Sequence, residues 1–107
     1  MKIPNDLIDE AAKIYGVLSN STRIKILYFL YYQENDVPVN EIVQNLGMAQ
    51  PVVSRQLAIL RQYQLVRFHR KGKQVFYVVD DPHVVEMIND MLNHVKHEIK
   101  GPPHPKN

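Results

Sequence analysis

The sequence predicts a mainly α-helical domain with one small β-hairpin, in the order ααααββα, and three observations carry that prediction. Within Gln50–Tyr63, Val53, Leu57 and Leu60 recur at helical spacing and form one apolar stripe, leaving Gln50, Ser54, Arg55 and Arg61 on the opposite surface. A shorter helical stretch, Asn40–Leu46, precedes it and is closed by Gly47, a residue suited to ending a helix. Behind both, Leu65–Arg70 and Gln74–Val79 read as strands around the basic tripeptide Lys71-Gly72-Lys73. Helix, glycine-containing turn, then a helix with a polar and basic outer face is a helix-turn-helix pattern, and the hairpin supplies a wing. The expected fold is a winged helix-turn-helix, and its expected target is double-stranded DNA.

The remaining elements follow in chain order. Asp6–Val17 reads as a first helix with Leu7, Ile8, Ala11, Ala12 and Tyr15 on one side, capped by Asn5 or Asp6 and with Asp9 and Glu10 near its positive end. Leu18-Ser19-Asn20-Ser21 interrupts the pattern and offers Asn20 as the next N-cap. Ile24, Ile26, Leu27, Phe29, Leu30 and Tyr31 then bring enough apolar surface for the centre of a core. Gln33–Pro38 reads as a polar turn. Pro51 sits near the start of its helix, where a residue with no N–H is tolerated. The last helix is expected over Pro82–Lys100, announced by Asp81 before Pro82. Its stripe of Val84, Ile88, Met91, Val95 and Ile99, widened by Val85 and Leu92, exceeds what one small domain needs. With the first helix, it predicts a homodimer that places two wings on one duplex.

At 107 residues and 45% apolar content the chain is expected to be one ordered domain over residues 1–100. The segment 101–107, GPPHPKN, is expected to be a flexible tail. The chain has no cysteine, which removes disulfides, thiolate metal sites and cysteine nucleophiles. The N-terminal stretch lacks the pattern of a secretion signal, and the longest apolar run, Ile26–Tyr32, is too short to cross a bilayer. A cytoplasmic protein without a membrane role is expected. Between Ile42 and Val79 there is no acid, against Arg55, Arg61, Arg67, Arg70, Lys71 and Lys73, so this segment carries +6. The whole chain is +2, so the remainder carries −4. The positive segment coincides with the second helix of the helix-turn-helix and the wing, where Arg70, Lys71 and Lys73 would neutralise phosphates. His69 on the wing reads as a phosphate contact or a solvated residue.

The last helix also carries Asp81, His83, His94 and His97, in the spacing D-x-H-x(10)-H-x-x-H. His83 and His94 are separated by about three turns, roughly 16 Å along the axis. One ion cannot bind both within one chain, since zinc–nitrogen bonds are about 2.0–2.1 Å. His94 and His97 can chelate together at i and i+3, and Asp81 with His83 at the helix start. Two such helices antiparallel across a dimer axis would join each Asp81–His83 pair to the other protomer's His94 and His97. Each meeting point offers one carboxylate oxygen and three imidazole nitrogens, a tetrahedral set suited to zinc, with two sites per dimer by symmetry. Taken singly, Asp81 reads rather as a helix cap, His97 as a cation near a helix C-terminus and His94 as a partly buried interface histidine; it is all four at a spacing that closes across a dimer that points to a metal.

From Leu18-Ser19-Asn20-Ser21-Thr22-Arg23 through His97, the sequence closely resembles the ArsR/SmtB family of bacterial winged-helix metal sensors. The most specific matches are Val53-Ser54-Arg55-Gln56-Leu57, Gly72-Lys73-Gln74-Val75-Phe76-Tyr77 and the pattern on the last helix. That pattern is similar to the members that sense zinc or cobalt at their fifth helix. The resemblance implies a homodimeric repressor that leaves operator DNA when metal binds, with Gln50, Ser54, Arg55 and Gln56 contacting bases or phosphates. It also implies that His94 relays metal binding towards a backbone carbonyl near Gln64. The sequence departs from the family's thiolate sensors, which carry Cys-x-Cys where this chain has Pro38-Val39-Asn40. It also has Ala49 where a serine often caps the recognition helix, and Pro51 and Arg55 where other side chains are common.

Other readings compete with a zinc-responsive repressor. A nickel-responsive repressor of the same fold would need further ligands, which His104 or the N-terminal amine could supply. A repressor that does not respond to metal, or a winged helix that binds only protein, would leave the histidine pattern or the +6 segment unexplained. A metal-dependent hydrolase would need an open coordination position and an activated nucleophile, and the sequence offers neither. No enzymatic activity and no small-molecule substrate are expected.

Overall fold

The computed structural model describes residues 2–100, and side chains through residue 98. The expected tail at 101–107, with His104, and the side chain of Ile99 in the expected stripe lie outside the described residues. Helix α1 spans Asn5–Leu18, α2 Ser21–Tyr31, strand β1 Val37–Pro38, α3 Val39–Leu46, α4 Gln50–Gln62, β2 Val66–Lys71, β3 Gln74–Val79 and α5 Pro82–Lys100. The helix-turn-helix, the wing and the last helix therefore stand where the sequence places them.

Local chemistry sets most of these boundaries. Asn20 caps α2 by accepting a hydrogen bond from the Arg23 backbone N–H at 3.0 Å. Gly47 ends α3 at φ 63°, a left-handed conformation with no Cβ penalty in glycine, and its N–H closes on the Val43 carbonyl at 2.9 Å. Gly72 takes φ 65° in the two-residue turn between the paired Lys71 and Gln74. The cap of α1 differs from expectation: Pro4 takes the N-cap position without a side-chain bond, so Asn5 and Asp6 already lie in the first turn. The Pro4 carbonyl accepts from Leu7 and Ile8 N–H, and the ring fixes φ at −58° as the chain enters the helix.

The expected turn at Gln33–Pro38 also needs correction. Its last two residues form β1, which pairs antiparallel with β3 through Val37 opposite Tyr77 and Pro38 opposite Phe76. The sheet order is β1-β3-β2. Two residues are too short for alternation to show, but Val37 is buried, and Pro38 sits on an edge strand where its missing N–H does little harm.

One core holds these pieces together. The inner residues of α2 (Ile26, Leu27, Leu30) meet Ile42 of α3, Val53, Leu57 and Leu60 of α4, Val66 of β2 and Val85 and Ile88 of α5. Ile24, Phe29 and Tyr31 pack around its edge rather than inside it. Each fully buried leucine contributes about 1.5–3 kcal/mol of hydrophobic stabilisation. The stripe of α4 is thus spent inward, which leaves its polar face for solvent or a partner.

Candidate nucleic-acid interface and metal-ligating helix

Helix α4 stands on its buried stripe with Gln50, Ser54 and Arg55 exposed near its beginning. Ala49 occupies the N-cap position without a side-chain bond, and Pro51 removes one N–H from the first turn. The far end is closed by a Schellman motif: Leu65 N–H donates to the Leu60 carbonyl at 2.9 Å and Gln64 N–H to the Arg61 carbonyl at 3.0 Å. Gln64 fills the left-handed position at φ 60°, where glycine is usual.

The six basic side chains of the positive segment divide by role. Arg67 is bound to Asp80 at 2.9 Å, which ties the start of β2 to the end of β3. Arg61 lies over the Phe68 ring at 4.7 Å from its centre, joining α4 to the wing. Arg55, Arg70, Lys71 and Lys73 are exposed on the helix face, strand end and turn. His69 is exposed on the wing, with its Nδ1 2.9 Å from Asp36 and its ring stacked on Phe76 at 5.6 Å. Gln56, expected among the DNA contacts, is half-buried, and its Oε1 accepts from Arg23 Nε at 2.8 Å. Sequence reading missed Arg23 in this role; the one signal was a lone cation in the first turn of the helix that carries the core.

The four expected metal ligands lie on α5 or at its start, all exposed. Asp81 Oδ1 accepts from the His83 backbone N–H at 3.0 Å, so Asp81 does act as a cap, and it also lies 3.1 Å from His83 Nδ1. His94 and His97 follow at the other end, one turn apart, and His94 Nε2 is 3.8 Å from Glu98 Oε1. The structure therefore brings Asp81 to His83 but leaves that pair far along the helix from His94 and His97. Among the described residues, no three possible ligands gather within the chain. Around these donors α5 exposes Met91, Leu92 and Val95, and α1 exposes Leu7, Ile8 and Tyr15. Between them runs an apolar groove of about 390 Å³, lined in part by Tyr15, Leu18, Ile24, Met87 and Met91.

A recognition helix on a helix-turn-helix, flanked by a basic wing, defines a DNA-binding regulator of the winged-helix class. Residues 20–67 match the family model described as bacterial regulatory protein, arsR family. The chain is 31% identical over 101 residues to the HTH-type transcriptional regulator KmtR of Mycobacterium tuberculosis, covering 94% of this chain and 76% of that one. It is 32% identical over 91 residues to the HTH-type transcriptional repressor SmtB of the same organism, covering 85% and 66%. The solution structure of a homodimeric winged helix-turn-helix DNA-binding domain from Mycobacterium bovis, a possible ArsR-family regulator, superposes with a TM-score of 0.77. That likeness covers 95% of this chain and 93% of the other at 22% identity, and so speaks to the fold alone. The chain belongs to the ArsR family of bacterial transcription regulators. It is a DNA-binding repressor type and not an enzyme. No helix among the described residues is long and apolar enough to cross a membrane.

Proposed function

We propose that this protein is a metal-responsive repressor, bound to operator DNA as a homodimer and released when zinc, or cobalt, is held between the α5 helices. The observation that carries this reading is the distribution of four donors along α5 and the residue before it, in two exposed half-sets, with no group of three possible ligands among the described residues. A second copy, antiparallel across a two-fold axis, would complete both half-sets at once, giving two sites per dimer. The surrounding surface supports the same pairing, since Met91, Leu92 and Val95 are apolar and exposed beside the donors. The M. bovis neighbour is itself a homodimer.

The donor set fits the ion: three imidazoles and one carboxylate are borderline to hard and make a closed tetrahedral site for zinc. The contacts of Asp81 to His83 use one carboxylate oxygen, and the second can ligate while the cap persists. Bound metal supplies a crosslink between the two α5 helices. On the DNA side, Gln50, Ser54 and Arg55 meet base edges or phosphates in the major groove, and Arg70, Lys71 and Lys73 hold the backbone. His94, through its second ring N–H, is the residue that couples the ligand set to the backbone near Gln64, where α4 ends.

Cobalt titration of the purified protein tests the site. Two ions per dimer with intense tetrahedral absorption bands are expected, and Asp81→Asn or His97→Asn should weaken both. Weak six-coordinate bands would favour nickel instead. Unchanged binding in both variants would move the metal off this helix.

A further inference from the structure

Arg23 stands at a three-way junction that DNA contact and metal binding leave unexplained. Its Nη1 donates to the Val17 carbonyl in the last turn of α1 at 3.0 Å, and its Nε donates to Gln56 Oε1 on α4 at 2.8 Å. Its own backbone N–H is held by Asn20 at the start of α2. Val17 O is one of the carbonyls that a helix end leaves without an intrahelical partner, and a guanidinium there also suits the negative end of the helix dipole. One half-buried cation therefore joins the end of α1 to the middle of the recognition helix through two charge-assisted bonds.

The chemistry of the pair restricts Gln56 further. Arginine has donors only, so the Gln56 amide must face it with its oxygen. The NH2 group then points away from Arg23, and the oxygen is held in place by the bond it accepts from the guanidinium. Reading an adenine edge bidentately takes both the oxygen and the nitrogen of a glutamine. We infer that Arg23 is a positioning residue for operator recognition, and that Gln56 is its strut on α4 rather than a reader of bases. The pair fixes α4 against α1, so that Gln50, Ser54 and Arg55 meet the duplex in one register. This inference rests on α4 being the recognition helix.

The test compares a duplex selected by the wild-type protein from a random pool with a scrambled duplex of the same length. If the wild type prefers no duplex, the recognition-helix reading fails and this inference fails with it. Given a preferred duplex, Arg23→Met and Gln56→Met should each reduce the preference by about tenfold, as expected for losing one hydrogen bond to a charged group. The double variant should lose little more than either single one, because both remove the same tie. Gln56→Glu should keep the preference near wild type, since a carboxylate still accepts from Arg23. Its added charge weakens both duplexes alike and cancels in the ratio. A collapsed preference in Gln56→Glu would make the amide a base reader and overturn the inference. Additive losses, or an equal loss on scrambled DNA in Arg23→Met, would overturn it too. Should Arg23→Met fail to fold, Gln56→Met against Gln56→Glu still decides, because both leave Arg23 on the Val17 carbonyl.

Discussion

Helices α4 and α5 carry similar apolar stripes and use them differently. In α4, Val53, Leu57 and Leu60 are all 0% exposed, so the stripe is satisfied by its own chain, and the outward face is mostly polar, with Val52 at 39% its one exposed large apolar side chain. Among the described side chains of α5, Val85 and Ile88 are buried in the core and Val84 and Met87 pack against it, while Met91 stays 60% exposed, Leu92 39% and Val95 40%. The first half of α5 belongs to the fold and the second half presents apolar surface outside it. A helix whose outer face is polar is prepared for water and phosphate; one whose outer face is apolar is prepared for protein. His83, His94 and His97 lie on α5 and Asp81 just before it, and the proposed metal sites are accordingly placed between copies.

The sharpest way to break this contrast is to cut each stripe. Leu57→Ala should cost about 2–5 kcal/mol of stability in denaturant unfolding, from lost burial plus the cavity left behind. Met91→Glu should leave the fold of each protomer intact and disrupt the dimer in sedimentation, because the seam would have to take in an unpaired carboxylate. A dimer unchanged by Met91→Glu would place the interface elsewhere.

The contrast between helix and wing gives a smaller effect. Arg55→Ala and Arg70→Ala should each weaken duplex binding, with Arg55→Ala costing about 1–3 kcal/mol and altering preference among duplex variants. Arg70→Ala should weaken all duplexes alike and reduce the salt slope by about 1. Equal losses on preferred and scrambled DNA for both variants would remove the distinction between reading and positioning.

What the sequence revealed and what it hid divide along physical lines. Period and turn chemistry were legible: the stripe of α4, the stop at Gly47, the cap at Asn20 and the start of α5 at Pro82 all follow from residues within a few positions of one another. β1 was not, because a two-residue strand has no period and forms only where β3 offers an edge. The true N-cap of α1 was hidden because Pro4 gives no side-chain oxygen to look for. Long-range polar ties were hidden as well: Arg23 with Gln56, Arg67 with Asp80 and His69 with Asp36 join residues that only the fold brings together. Of the expected site, the exposure of Gln50, Ser54, Arg55 and the wing cations followed from pattern, whereas the commitment of Gln56 did not.

The end of α4 holds the smallest of these lessons. Gln64 sits in a left-handed position that nothing in the local sequence announces, as a glycine would have. Gln64→Gly should therefore stabilise the protein by up to about 1 kcal/mol, since it relieves a β-carbon clash while adding some entropy to the unfolded chain. A loss of stability in thermal unfolding would mean that the glutamine side chain contributes more than its backbone costs.

Metal-dependent repression is tested most directly by operator affinity with and without saturating zinc, measured on the preferred duplex with metal stoichiometry determined independently. Two ions per dimer and a coupling of about 1–3 kcal/mol against DNA binding are expected, with duplex weakening zinc binding by the same factor. His94→Asn should lose this regulation even where some metal still binds, and His97→Asn should mainly lose metal affinity. Zinc bound at two per dimer with operator affinity unchanged would rule out metal-responsive release and make the metal a structural staple of the dimer.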